Sequence, residues 1–223
     1  MASLVQNVSL AALPVLFAVI LHEVAHGYVA YRLGDPTAQR MGRLSLNPLP
    51  HIDPVGTVLL PLALVVMRAP FVFGYARPVP VNYMNLRNPR RDMVLVAAAG
   101  PLTNFLLATV SVLGLMLLAQ MLPPQGVPWT SLQAGVVVPL ARMAQNSIYF
   151  NVGLAAFNLL PIPPLDGGRV LTGLLPRPLA VPFARLERYG FLILVALLVT
   201  NSLDVVLQPV MVVMERVLHA LLS

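Results

Sequence analysis

The residues His22-Glu23-Val24-Ala25-His26 sit inside an apolar run from Leu10 to Leu33. A run of that length crosses roughly 30 Å of hydrocarbon as a helix. Two imidazoles four residues apart on a helix point the same way and can share one metal ion, and the intervening glutamate then lies beside a metal-bound water. An ionisable side chain in a transmembrane helix costs about 2.5 to 3.5 kcal/mol on insertion scales and usually marks function. The alternative reading is two buried histidines in ordinary hydrogen bonds.

Composition places that motif in a membrane. The chain has 223 residues, is 58% hydrophobic and 10% charged, and has a mean hydropathy of +0.81, whereas soluble domains carry about 25% charged residues. Besides Leu10–Leu33, the runs Met93–Leu122 and Pro139–Leu160 are long enough to span, and Gly190 onward supplies at least one more segment. The first run has no basic stretch or cleavage site of a removable signal peptide, and it carries the metal motif, so it is expected to be retained. All fourteen basic residues are arginine, and the net charge is +6. In a multi-span chain the positive-inside rule explains them more simply than a nucleic-acid partner does. The absence of cysteine excludes disulfides, thiolate metal sites and a cysteine nucleophile together, so any metal must rest on His, Asp, Glu or Asn.

The first helix is predicted over about 9–33, stopping at Leu33-Gly34-Asp35-Pro36. Residues 36–75 are rich in turn signals, with a short alternation at Gly42–Leu46 that suggests strand. Val55–Met67 is apolar but short and contains Gly56 and Pro61, which fits a re-entrant or hairpin element better than a span. With that element not crossing, the arginines from Arg32 to Arg91 fall on one side of the membrane. Helices at about 93–122 and 139–160 then return the chain to Arg169, Arg177, Arg185 and Arg188 on that same side, leaving Arg142 near the outer end of its helix, where it can snorkel. This predicts a multi-pass membrane protein with its N-terminus outside and its site toward the cytoplasm; a bacterial or archaeal cell membrane is the location expected. The fold expected is an all-α polytopic membrane protein: a helical catalytic core of about four to six membrane segments with a small re-entrant or β-hairpin element, forming one membrane-embedded domain over 1–223. Its C-terminal segments, at about 190–222, are interrupted by Asn201, Asp204 and Pro209.

The stretch 158–169 reads Asn158-Leu-Leu-Pro161-Ile-Pro163-Pro164-Leu-Asp166-Gly167-Gly168-Arg169. Its prolines break the helix, and irregular backbone at membrane depth is tolerated only inside protein or beside a watery cavity. Asp166 is thereby offered as an oxygen ligand to complete a three-ligand site with one open position, or as the cap of the helix that begins near Gly168.

His22-Glu23-x-x-His26 followed by Asn158-x-x-Pro161-x-x-x-Leu165-Asp166-Gly167-Gly168 resembles the site-2 proteases, which are intramembrane zinc metalloproteases. The likeness extends to Gly74–Asn82 (GYARPVPVN) and Ala99-Gly100-Pro101-Leu102-Thr103-Asn104. It implies one Zn2+ per chain on His22, His26 and Asp166, Glu23 as catalytic acid/base, and Asn158 assisting at the site. It implies a membrane-protein substrate with a transmembrane helix, cut in or near that helix to release a cytosolic fragment. The sixteen residues from Pro123 to Val138 cannot hold the PDZ domain of larger members.

These parts suit peptide hydrolysis on their own terms. Zinc lowers the pKa of its water toward about 7, and Glu23 takes the proton and passes it to the leaving amine. Asn158 can donate to an oxyanion or make an interhelical bond, while Asn104 reads as a local packing residue and His51 as a weak substitute for Asp166. Substrate must unwind to be cut, and the Gly42–Leu46 and Val55–Val72 segments are candidate edges to receive it. Two other classes stay open: a metal-ion transporter, disfavoured because no polar path is visible beyond the ligands, and a non-catalytic membrane-binding relative. Lipid bilayer is an expected partner, and the number of subunits is left open.

Overall fold

A computed structural model describes residues 2–67, 76–121, 128 and 130–222. Among them the secondary structure is helical, with no strand. Helix α1 (Ala2–Arg32) carries the paired histidines and contains Pro14. A proline lacks the N–H that would bond the carbonyl four residues earlier, which here is that of Leu10. Asn146 supplies the missing donor, its Nδ2 reaching Leu10 O at 3.2 Å, as is required where no water can do so. Replacing Asn146 with leucine should lower stability by about 1 to 3 kcal/mol. Adding Pro14→Ala should recover most of the loss, because residue 14 then has its own N–H; thermal melts in detergent that fail to show recovery would refute this account.

α1 stops as the sequence predicts. Gly34 adopts a φ of +115°, its N–H bonds Tyr31 O at 3.2 Å, and Asp35 N–H bonds Ala30 O at 2.9 Å, the paired closure of a Schellman cap. The same device ends the short α2 (Thr37–Arg40): Gly42 has a φ of +64°, and Gly42 and Arg43 bond back to Gln39 and Ala38. This overturns the strand expected at Gly42–Leu46. The alternation there lost to a helix-stop glycine two residues after α2. The apolar segment that follows is also helical, a wide turn over Pro54–Leu59 leading into α3 (Leu60–Val66). Neither described segment offers the strand edge proposed for substrate, and residues 68–75, with Gly74 and Tyr75, lie outside the described residues.

The core is three long helices. α4 (Pro89–Ala119) runs antiparallel to α1, since His22 pairs with Asn104 and His26 with Val96. α5 (Val138–Asn158) runs antiparallel to α4, since Asn104 meets Asn151 and Ser111 meets Ser147. By length and hydropathy two described helices qualify as spans, Ser9–Arg32 and Pro89–Ala119. A bent pair, Arg177–Val199 with Ser202–Leu221 at 72°, makes a third if counted as one. That is fewer than the four to six expected. α5 carries Arg142, Gln145, Asn146 and Asn151, which dilute its hydropathy; two of these side chains are committed to α1 and α4.

Beyond α5 the chain breaks at Leu159–Leu165 and restarts as α6 (Asp166–Leu174). A Cβ on Gly167 would collide with the Leu159 carbonyl, so only glycine lets α6 fold back on its own entry loop and hold Asp166 inward. α7 (Arg177–Ala184), α8 (Gly190–Val199) and α9 (Ser202–Leu222) complete the chain. Leu160 and Leu165 of the entry loop pack on Leu194 of α8 and Leu203 of α9, while Met214 and Leu218 of α9 pack on Leu115 and Ile148.

Candidate metal centre

Two elements bring the three ligand-type side chains together. His22 and His26 are one turn apart on α1 and stand 5% and 9% exposed; Asp166 begins α6 and is 5% exposed. Their ligand atoms lie within 4.8 Å of one another. His22 Nε2 is 3.0 Å from His26 Nε2, and Asp166 Oδ2 is 3.2 and 3.3 Å from the two.

The far nitrogens fix what these atoms offer. His26 Nδ1 lies 2.7 Å from Val96 O, an atom that can only accept, so Nδ1 carries the proton and Nε2 the lone pair. His22 Nδ1 lies 2.6 Å from Asn104 Oδ1 and is a donor for the same reason. Two lone pairs and a carboxylate oxygen therefore face one another. Asp166 Oδ2 is buried with no hydrogen-bond partner, a costly state for a charged oxygen. Three such donors around one point fit a cation, and two imidazoles with one carboxylate are a catalytic zinc set.

Glu23 points into the same cleft, a space of about 480 Å³ that also takes in Asn158, Leu165, Tyr83 and Arg169. Its Oε2 accepts the Val79 N–H at 2.7 Å. Val79 belongs to a non-helical segment, 76–82, fastened by side chains rather than by a sheet. Arg43 Nη2 donates to Arg77 O at 2.7 Å and Pro78 O at 3.3 Å, and the Arg77 N–H bonds His51 O at 2.9 Å. Asn82 N–H bonds Asp35 Oδ2 at 2.7 Å. Pro78 and Pro80 lack the N–H groups a partner strand would need.

Asp35 anchors the far end of this wall. It is fully buried and accepts bonds from Thr37, Asn82 and Asn85. Burial alone would raise its carboxyl, but the hydrogen bonds from Thr37, Asn85 and Asn82 outweigh it and hold it below its usual value. A depressed folded value gives stability that is present above the unfolded value, near pH 4, and is lost as pH falls through the folded one. The melting temperature of the native chain should thus fall more steeply between pH 5 and pH 3 than that of Asp35→Asn. Parallel curves would refute the assignment.

Of the sequence-derived site residues, His22, His26 and Asp166 are brought together, with Glu23 and Asn158 on the same cleft. One Asn158 N–H is engaged by Leu154 O at 2.9 Å. His51 is not in the cluster: it is buried and bonds Ser45 O at 2.9 Å. Asn104 does sit in close helix packing, but its hydrogen bonds are long-range and not local. It is 0% exposed and joins three helices, its Nδ2 reaching Ala18 O and Asn151 Oδ1. An asparagine in so apolar a run was the available signal. Gly100, part of the stretch that carries the resemblance, packs directly on the centre: a Cβ there would lie 2.5 Å from His26 Nε2 and 2.6 Å from His22 Nε2.

A family model described as "Peptidase family M50" matches residues 125–200, the part that contains Asn158 and Asp166. "Putative zinc metalloprotease YwhC" of Bacillus subtilis is 40% identical over 191 residues, 86% of this chain and 80% of its own. "Putative zinc metalloprotease Rip2" of Mycolicibacterium smegmatis is 32% identical over 189 residues, 85% of this chain and 66% of its own. Its namesake from Mycobacterium tuberculosis H37Rv is 29% identical over 189 residues, again 85% and 66%. No solved structure matches the chain. With four fifths of the Bacillus relative matched at 40% identity, and the family model on residues 125–200, which carry Asp166, the chain belongs to peptidase family M50, the site-2 protease family, and is a metalloprotease.

Proposed function

We propose that this metalloprotease is an intramembrane endopeptidase that hydrolyses a peptide bond in or near a transmembrane segment of a membrane-protein substrate and releases a fragment to the cytosol. The observation that carries the reading is the placement of His22, Glu23 and His26 on the apolar helix Ser9–Arg32, with Asp166 closing the cluster from a chain break. Zinc is held by His22, His26 and Asp166. The chemistry it supplies when bound is Lewis-acid polarisation of a carbonyl and acidification of a water.

The chain's own residues do the rest. Glu23 accepts the proton of the attacking water and delivers it to the leaving nitrogen, while the Val79 N–H holds one of its oxygens in place. Asn158 stands on the cleft wall within reach of substrate backbone, and its remaining amide hydrogen suits a developing oxyanion. Arg169 lines the same cleft, its guanidinium 3.0 Å from Glu187 and 6.0 Å from the Tyr83 ring centre. The arginine distribution supports a cytoplasmic site, and the three-helix core with its supporting elements is one membrane-embedded domain.

The carrier alternative has lost one argument against it, because polar side chains do continue from His22 through Asn104 and Asn151 to the Ser147 hydroxyl. They are closed hydrogen bonds between packed helices, with Asn104 and Asn151 at most 1% exposed. The test is reconstitution of the full chain in liposomes with single-span substrates. Cleavage inside the span that stops with a chelator and returns with zinc is expected; zinc flux without cleavage, or cleavage indifferent to zinc, would overturn the proposal.

A further inference from the structure

The polar chain that leads away from His22 has a direction, and the direction is set by backbone. At its far end Asn151 Nδ2 lies 2.8 Å from Ser147 O. A backbone carbonyl only accepts, so the amide nitrogen of Asn151 must face it. This turns Asn151 Oδ1 toward Asn104, whose Nδ2 donates to it at 2.8 Å. The other hydrogen of Asn104 Nδ2 goes to Ala18 O at 3.1 Å, again an obligate acceptor. Both amide hydrogens being committed, Asn104 can present only Oδ1 to His22, and it does so 2.6 Å from Nδ1.

We infer that Asn151, remote from the cleft, is a positioning residue that fixes the tautomer of His22 through Asn104 and so keeps the Nε2 lone pair available to metal. This rests on the reading of His22 as a zinc ligand. An amide can turn over, and then offers an N–H where it offered an oxygen. Without an acceptor at 151, Asn104 loses one of the two partners that prevent this, and in the turned state His22 must carry its proton on Nε2, where it cannot ligate. His26 has no such dependence, because a backbone carbonyl, Val96 O, sets its proton directly. The two imidazoles therefore differ in how far sequence changes elsewhere can disturb them.

The test is the zinc dissociation constant of the purified full chain, measured by chelator competition, with melting temperatures in parallel. Asn151→Leu should weaken zinc 10- to 100-fold, the usual effect of losing a residue that orients a ligand. Asn151→Asp, whose protonated carboxyl donates to Ser147 O as the amide did, should stay within about threefold of the native chain, since its carbonyl oxygen still accepts from Asn104. Ser111→Ala, which removes the bond to Ser147 at 2.8 Å but nothing between Ser147 and His22, should lower the melting temperature without moving zinc affinity. Zinc binding by Asn151→Leu within threefold of native overturns the inference, as does equal loss in Ser111→Ala or in Asn151→Asp. A native chain that binds no zinc would overturn the reading of the metal centre itself and is distinguishable from all of these.

Discussion

Glu23→Gln is expected to lower the turnover number about 10²- to 10⁴-fold, the contribution of a positioned general base and acid, with zinc per chain unchanged. Glutamine is the informative substitution because of Val79. The side chain of Glu23 both faces the metal cluster and accepts the Val79 N–H at 2.7 Å, and a glutamine carbonyl can still accept that bond while being unable to take a proton from water. The wall formed by 76–82 is then retained, so the loss reports on chemistry alone. Glu23→Ala removes both roles. It should match the glutamine variant in turnover and in addition raise KM, because a cleft wall has lost one of its fastenings. Measurement needs a reconstituted single-span substrate and zinc quantified on the same preparation. A glutamine variant that cleaves at near-native rate would move the acid/base role to another residue.

Gly100→Ala is expected to abolish zinc binding, and activity with it, while leaving a folded protein. The added Cβ would lie 2.5 Å from His26 Nε2 and 2.6 Å from both His22 Nε2 and His22 Cε1, closer than real Cβ contacts come. The imidazoles cannot simply swing aside, because each is tied by its other nitrogen, to Asn104 at 2.6 Å and to Val96 at 2.7 Å. Relief must come from backing α4 away from α1, and either response separates the ligand atoms. Overpacking of this kind costs about 1 to 3 kcal/mol, and alanine returns up to about 1 kcal/mol of helix propensity over glycine. The net loss is thus about 3 kcal/mol at most, small enough for the helices to survive. Gly114→Ala is the control on the same helix: a Cβ there meets nothing within 4 Å, so stability should hold or rise and zinc should be unaffected. Retention of zinc by Gly100→Ala at native affinity would show that α4 does not press on the centre as described.

What was legible in the sequence was local. His22-Glu23-x-x-His26 in an apolar run, the glycine stop at Gly34 and the proline-broken approach to Asp166 depend on periodicity, cap chemistry and proline sterics, and these act within a turn or two of chain. The structure keeps all three. The strand at Gly42–Leu46 failed because two local signals competed, and a helix-stop glycine outweighed a short alternation. The number of spans was overestimated because length was weighed before polarity, and in α5 the polar residues are there to serve neighbouring helices: Asn146 supplies the donor that Pro14 removed from α1. Nothing in a single run of sequence shows which carbonyl a distant asparagine will meet.

By itself, then, the sequence determined the chemistry available: an all-helical membrane chain with two imidazoles on one helix face, a glutamate between them and an aspartate on broken backbone. Tertiary structure decided how those groups are oriented. The antiparallel packing of α1 on α4 fixes the proton on each imidazole through Val96 O and Asn104, Gly100 sets how near α4 approaches, and Val79 N–H meets Glu23 from a segment that no periodicity marks. The reason is physical. Ligand type is a property of a side chain, whereas tautomer, separation and the partner of a carboxylate oxygen depend on backbone atoms from other helices, and every residue carries those same atoms.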